Sequence, residues 1–130
     1  MIVFFGDHQP NDTVAEPILR LNGMSSATLT EEERDLRYQV PYVIWANYDI
    51  AEEQHADTSA NYLAMKVLKA AGIPLNGYQK FEEELADSYP VISAQRILGA
   101  DGTRSSADAD GEELDVYRRL QYYQLFGTQR

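Results

Sequence analysis

An α/β architecture, a small mixed sheet flanked by three to four helices, is what this sequence predicts. Three observations carry the prediction. Two short runs of β-branched and aromatic residues stand at 2–5 and 40–47. Apolar residues recur at three- and four-residue steps over 58–71 and again near 78–88 and 112–126. Glycine, proline, asparagine and aspartate cluster between these segments. Period-two and short apolar runs suit strands, three-to-four spacing suits helices, and the clusters mark where the chain turns.

The first element, Ile-Val-Phe-Phe, is an apolar run stopped by Gly6, which is how a fully buried parallel strand reads. Asp7 and His8 follow at its C-terminal end, the position where open α/β sheets hold ligands. A carboxylate and an imidazole suit a divalent transition metal, and Gly6 would let the backbone bend so that both side chains reach one point. A turn with a capping aspartate and an exposed histidine is the plain alternative for so short a motif.

Residues 11–29 mix Asn, Asp, Gly, Ser and Pro17 with Ile18, Leu19 and Leu21, which reads as a long loop holding one helical turn. Thr30 and Glu33 have capping-box spacing, so a short helix is expected from Glu31 to about Tyr38. The run 40–47 is the second strand, with Pro41 at its beginning or on an edge and Trp45 packed in a core or an interface. Asn47 and Tyr48 then form a strand-ending turn.

Asp57 or Thr58 is positioned to cap a helix over 58–71, with Ala60, Leu63, Ala64, Val67, Leu68 and Ala71 on its apolar face. Gly72 and Pro74 mark its C-terminus. A further helix from about Tyr78 to Ser88 should turn Tyr78, Phe81 and Leu85 inward and Glu82, Glu83, Glu84 and Asp87 to solvent. Pro90 stops it, before a brief strand at Val91 and Ile92. Residues 99–111 read as a loop. Asp101-Gly102 signals a hairpin turn if Ile97 and Leu98 pair with a segment after Thr103. Asp108, Asp110 and Glu112 lack the downstream positions of a calcium loop. The final helix should run from Glu112 to about Phe126.

The chain of 130 residues has the length of one domain, here 1–130 taken as a single segment. No apolar stretch approaches a membrane span, so the chain itself reads as soluble. Without cysteine it has no disulfide or thiolate site. A formal net charge of −10, with the basic residues scattered among acids, argues against nucleic acid as a partner. No phosphate loop, nucleophile elbow or His-Glu-x-x-His motif occurs. The only histidines are His8 and His55. His55, with polar flanks, is expected to be exposed and not a third metal ligand.

The phrases VFFGDHQP, VPYVIWANYDI, SANYLAMKVLKAAGIPL, YPVI and YRRLQYYQLFG, in that order, span nearly the whole chain. Together they resemble the C-terminal part of bacterial membrane-anchored sulfatase-like proteins, the lipoteichoic acid synthase and phosphoglycerol transferase group of the alkaline phosphatase superfamily. The resemblance implies an incomplete alkaline-phosphatase-like sandwich from a catalytic domain on the extracellular face of the bacterial membrane. Such a domain cleaves a phosphoglycerol headgroup or a sulfate ester through a nucleophilic threonine beside a divalent metal, typically manganese.

Asp7 and His8 match the family's Gly-Asp-His metal-ligand step. The nucleophile and remaining ligands lie upstream in the family, and none of Thr13, Thr28, Thr30 and Thr58 stands in the nucleophile's context. The chain is therefore expected to be a C-terminal fragment that is inactive alone and completed by the missing N-terminal part of the catalytic domain. The alternative is a non-catalytic oligomerisation or interaction module on the same scaffold. Either way, an apolar strand without sheet neighbours predicts a homodimer or higher oligomer through residues 2–5.

Overall fold

The computed structural model describes residues 1–54 and 56–127. The chain is mixed α/β, with five α-helices and two small antiparallel sheets among the described residues. It divides into two compact units, Met1–Tyr48 and Asp49–Arg130.

In the first unit, β1 (Ile2–Phe5) is followed by α1 (Asp12–Leu21), α2 (Glu31–Leu36) and β2 (Tyr42–Trp45). The expected parallel, buried first strand is not what forms. β1 pairs antiparallel with β2, Ile2 opposite Trp45 and Phe5 opposite Tyr42, and Ile2, Phe4 and Phe5 are exposed. A parallel partner needs a crossover into the same sheet, and here two helices and their turns simply return the chain beside its own start. Pro41 precedes β2, as expected, and its carbonyl accepts from Gly6 N–H at 3.0 Å to close the ladder. Trp45 is half exposed instead of packed in a core.

The reading of 11–29 as a loop is corrected by α1, a ten-residue helix that contains Pro17. Proline forfeits one backbone bond there, but both ends are secured. Asn11 caps the start by accepting from Val14 N–H. At the other end Gly23, at φ 72°, allows Met24 N–H to reach Leu19 O and Gly23 N–H to reach Arg20 O. α2 has the expected capping box: Thr30 Oγ1 accepts from Glu33 N–H at 3.2 Å, and Glu33 Oε2 accepts from Thr30 N–H at 2.8 Å.

The second unit contains a 3-10 turn (Ala60–Tyr62), α3 (Leu63–Ala70), α4 (Gly77–Ser88), β3 (Val91–Ile92), β4 (Arg96–Leu98), β5 (Arg104–Ser106) and α5 (Glu112–Phe126). Neither Asp57 nor Thr58 caps the third helix. Ser59 occupies the cap position before the 3-10 turn, and its hydroxyl instead donates to Ile92 O at 2.7 Å and accepts from Ile92 N–H, tying the turn to β3. Gly72, at φ 68°, ends α3 with the same paired bonds as Gly23. β3, β4 and β5 form an antiparallel meander. The loop expected over 99–111 thus gives way to β5 after a tight turn, in which Asp101 accepts from both Thr103 N–H and Thr103 Oγ1 at 2.8 Å.

The core of this unit is Tyr62, Met65, Leu85 and Tyr117, with Tyr78 and Phe81 packed against it. Tyr62 and Met65 are more deeply buried than the expected stripe of Leu63, Val67 and Leu68. The start of α3 is wound as a 3-10 turn, so its face is rotated relative to an ideal α-helix begun at 58.

Candidate functional site

Gly6, Asp7 and His8 leave β1 where the ladder ends, and the segment behind them is anchored at several points. Gln9 Nε2 donates to Gln39 O at 2.7 Å. Arg37 Nη2 donates to Pro10 O at 2.9 Å and pairs with Asp12 Oδ1 at 3.0 Å. The residues before β2 therefore hold both sides of the Asp7-His8 step. These partners lie 25 or more positions away in sequence, so no local pattern announces them.

Gly6 has a role different from the expected bend, because its φ is not in the left-handed region. A Cβ built on Gly6 would lie 2.9 Å from Val40 Cβ and 3.2 Å from Val40 Cγ1. Glycine is needed here for close approach to the neighbouring segment.

Adjacent side chains on an extended strand point to opposite faces, but Asp7 and His8 lie beyond the strand and converge. Asp7 Oδ2 is 3.6 Å from His8 Nε2. His8 Nδ1 is 2.8 Å from Gln9 O, which can only accept, so Nδ1 carries a proton. In the neutral ring this leaves the lone pair on Nε2, the nitrogen facing Asp7. Fixing the tautomer through the other nitrogen is how metal-binding histidines are commonly held.

Two donors each about 2.1 Å from one metal ion stand about 3.0 to 3.4 Å apart in octahedral or tetrahedral geometry, so a small side-chain rotation would suffice. Both side chains are open to solvent, His8 at 77% and Asp7 at 93%. No group of three or more His, Cys, Asp or Glu able to hold a metal occurs among the described residues. The pair supplies two donor atoms, fewer than the three or four protein ligands of a closed metal site. His55 lies outside the described residues. Thr30 is engaged in its cap, and Thr28 Oγ1 donates to Ser25 O. Asn47 and Tyr48 form a bend after β2.

Two glutamates form clusters that the sequence reading does not single out. Glu16 accepts from Ser25 Oγ and Ser26 N–H, both at 2.9 Å, and from Arg20 Nε at 3.1 Å. These donors, the Ser26 backbone foremost, draw its pKa down from 4.5 to about 2.

Glu82, expected on a solvated face, is only 4% exposed. Tyr117 OH donates to its Oε1 at 3.2 Å, and Asn61 Nδ2 donates to Tyr117 OH at 2.8 Å. Burial raises the Glu82 pKa, partly offset by hydrogen bonds from Tyr78 and Tyr117, and burial likewise raises the tyrosines. The signal was available: Glu82 falls four residues after Tyr78 and three before Leu85, on the same helical stripe.

No helix of the described residues is long and apolar enough to cross a membrane. Comparison of the chain with protein-family models, with curated proteins and with solved structures finds no match.

Proposed function

We propose that this chain is a C-terminal part of a metal-dependent phosphoglycerol transferase or sulfatase-like catalytic domain, to which it contributes Asp7 and His8 as ligands. The observation that carries the reading is the convergence of Asp7 Oδ2 and His8 Nε2 on one solvent-open point at 3.6 Å, with the histidine tautomer set by Gln9 O. The sequence resemblance supplies the chemical class and the sandwich architecture, and manganese is the ion it favours. A bound divalent ion supplies Lewis-acid stabilisation of a phosphoryl or sulfuryl oxygen and activates a nucleophile.

The residues of the chain itself do the positioning. Gln9 and Arg37 fix the segment, Gly6 admits Val40, and Nδ1 retains its proton on Gln9 O so that Nε2 stays available. The nucleophile and further ligands come from polypeptide upstream of Asp7 in the whole protein, whose site faces the outside of the bacterial membrane. This chain alone does not turn over an anionic glycerophospholipid or a sulfate ester.

Manganese titration followed by electron paramagnetic resonance tests the reading. With two ligands, the chain should bind Mn2+ no tighter than about 0.1 mM, and Asp7→Ala or His8→Ala should each abolish that binding without loss of helix signal. Tight binding would contradict the half-site, and equal binding by both variants would remove the site. Upstream coding sequence with membrane helices and a nucleophilic threonine supports the enzyme. Its absence favours the second reading, an interaction module, for which the exposed apolar ribbon of β1 and β2 is the motivating observation.

A further inference from the structure

The β1–β2 ribbon is apolar on both faces. Its register places Ile2, Phe4, Val43 and Trp45 on one face, and Val3, Phe5, Tyr42 and Ile44 on the other. Val3, Tyr42 and Ile44 are half-buried. The first face has no comparable cover: Ile2 is 60% exposed, Phe4 69%, Val43 56% and Trp45 52%. Scattered apolar residues are ordinary on a protein surface, but four that are contiguous on one ribbon face are not. With aromatic side chains of about 150 to 250 Å² each, this face leaves on the order of 500 Å² of apolar surface in water.

We propose that this face docks a second copy of the chain, ribbon against ribbon about a twofold axis. Two such faces bury about 1,000 Å² together, the lower bound for a specific interface. A lone two-stranded ribbon is marginal in water, and a second copy provides the missing layer in a two-layer stack. Isologous packing covers both patches at once, whereas head-to-tail association leaves one patch open at each end. The face carries no charge, so the contact brings no like charges together although each chain has net charge −10. The long-range repulsion of two acidic chains acts against the dimer and is screened by salt.

Sedimentation equilibrium of the full chain without added metal, together with Trp45 fluorescence, tests this dimer separately from the metal reading. The mass should rise with concentration to twice that of the chain and no further. Trp45, the only tryptophan, should shift to shorter wavelength over the same range. Raising salt from about 0.05 M to about 0.5 M should tighten the dimer. Val43→Lys should weaken it at least tenfold while the far-ultraviolet circular dichroism is unchanged. If that variant does not fold, Val43→Thr, which keeps the branched shape, should weaken it by a smaller factor. A monomer at all concentrations to about 100 µM, growth beyond the dimer, weakening by salt, or folded Val43 variants that dimerise like the parent would each overturn the proposal.

Discussion

In residues 1–48, the four strand and helix elements contain no buried side chain, and Leu29 alone is buried among the hydrophobic residues. In residues 49–130, Tyr62, Leu85 and Tyr117 are almost fully enclosed and Met65 nearly so. Both regions are rich in apolar residues, so composition does not make the difference. The second region brings a 3-10 turn, three helices and a meander around one cluster, while the first spreads its apolar residues over a ribbon with two faces. Burial requires a layer opposite each apolar face. The first region has helix termini, caps and an anchored Asp7-His8 step, but it leaves one ribbon face without that layer.

The largest test of this contrast is a matched pair of truncations. Leu85→Ala should cost about 3 kcal/mol, through lost burial and the cavity left behind. Phe4→Ala, at a site 69% exposed, should cost less than about 1 kcal/mol in a monomeric chain. Urea denaturation at a concentration where the chain is monomeric measures both. Equal losses would mean that the ribbon is covered as well as the core is.

A smaller effect separates the two glutamates, and the signs are opposite. Glu82 has its folded pKa raised by burial, so its favourable contribution is complete below the unfolded value of 4.5 and is lost as pH rises through the folded value. Glu82→Gln should therefore stabilise the chain at pH 7 by about 1 to 2 kcal/mol and flatten the alkaline side of its pH profile.

Glu16 has its folded pKa lowered to about 2, so its contribution is complete above 4.5 and is lost as pH falls towards 2. Glu16→Gln should lower the urea midpoint slightly at pH 7, and the difference should disappear as pH falls through 2. Carboxyl resonances followed by nuclear magnetic resonance would read both titrations. A Glu82 that ionises before Glu16 as pH rises would reverse the assignment.

The features that were legible in sequence are those set by neighbours. The Thr30–Glu33 capping box, the end of the third helix at Gly72, the Asp101-Gly102 turn and the bounds of α5 each depend on residues within a few positions. The Asp7-His8 step was equally visible, as two donor types at a strand end. The anchoring of the segment around it was not, because that depends on Arg37, Gln39 and Pro41, which approach only when the chain folds back. α1 was hidden by Pro17, whose cost is offset by Asn11 and Gly23 at the two ends. Glu82 was obscured by Glu83 and Glu84 beside it, since a run of acids looks solvated until helical phase is applied to each member.

Local rules should therefore act alike in both regions, even though burial does not. Gly23 and Gly72 sit at φ 72° and 68°, each ends a helix with the same two backbone bonds, and a Cβ added at either would meet nothing within 4 Å. The cost of Gly23→Ala or Gly72→Ala is then purely conformational, about 1 kcal/mol for each. Hydrogen exchange at Met24 and Ile73, whose amides close the two caps, would report each end separately. Similar loss of protection at both sites would show that the regions differ in what covers them and not in how their helices end. A much larger loss at Met24 would trace the contrast back to the backbone.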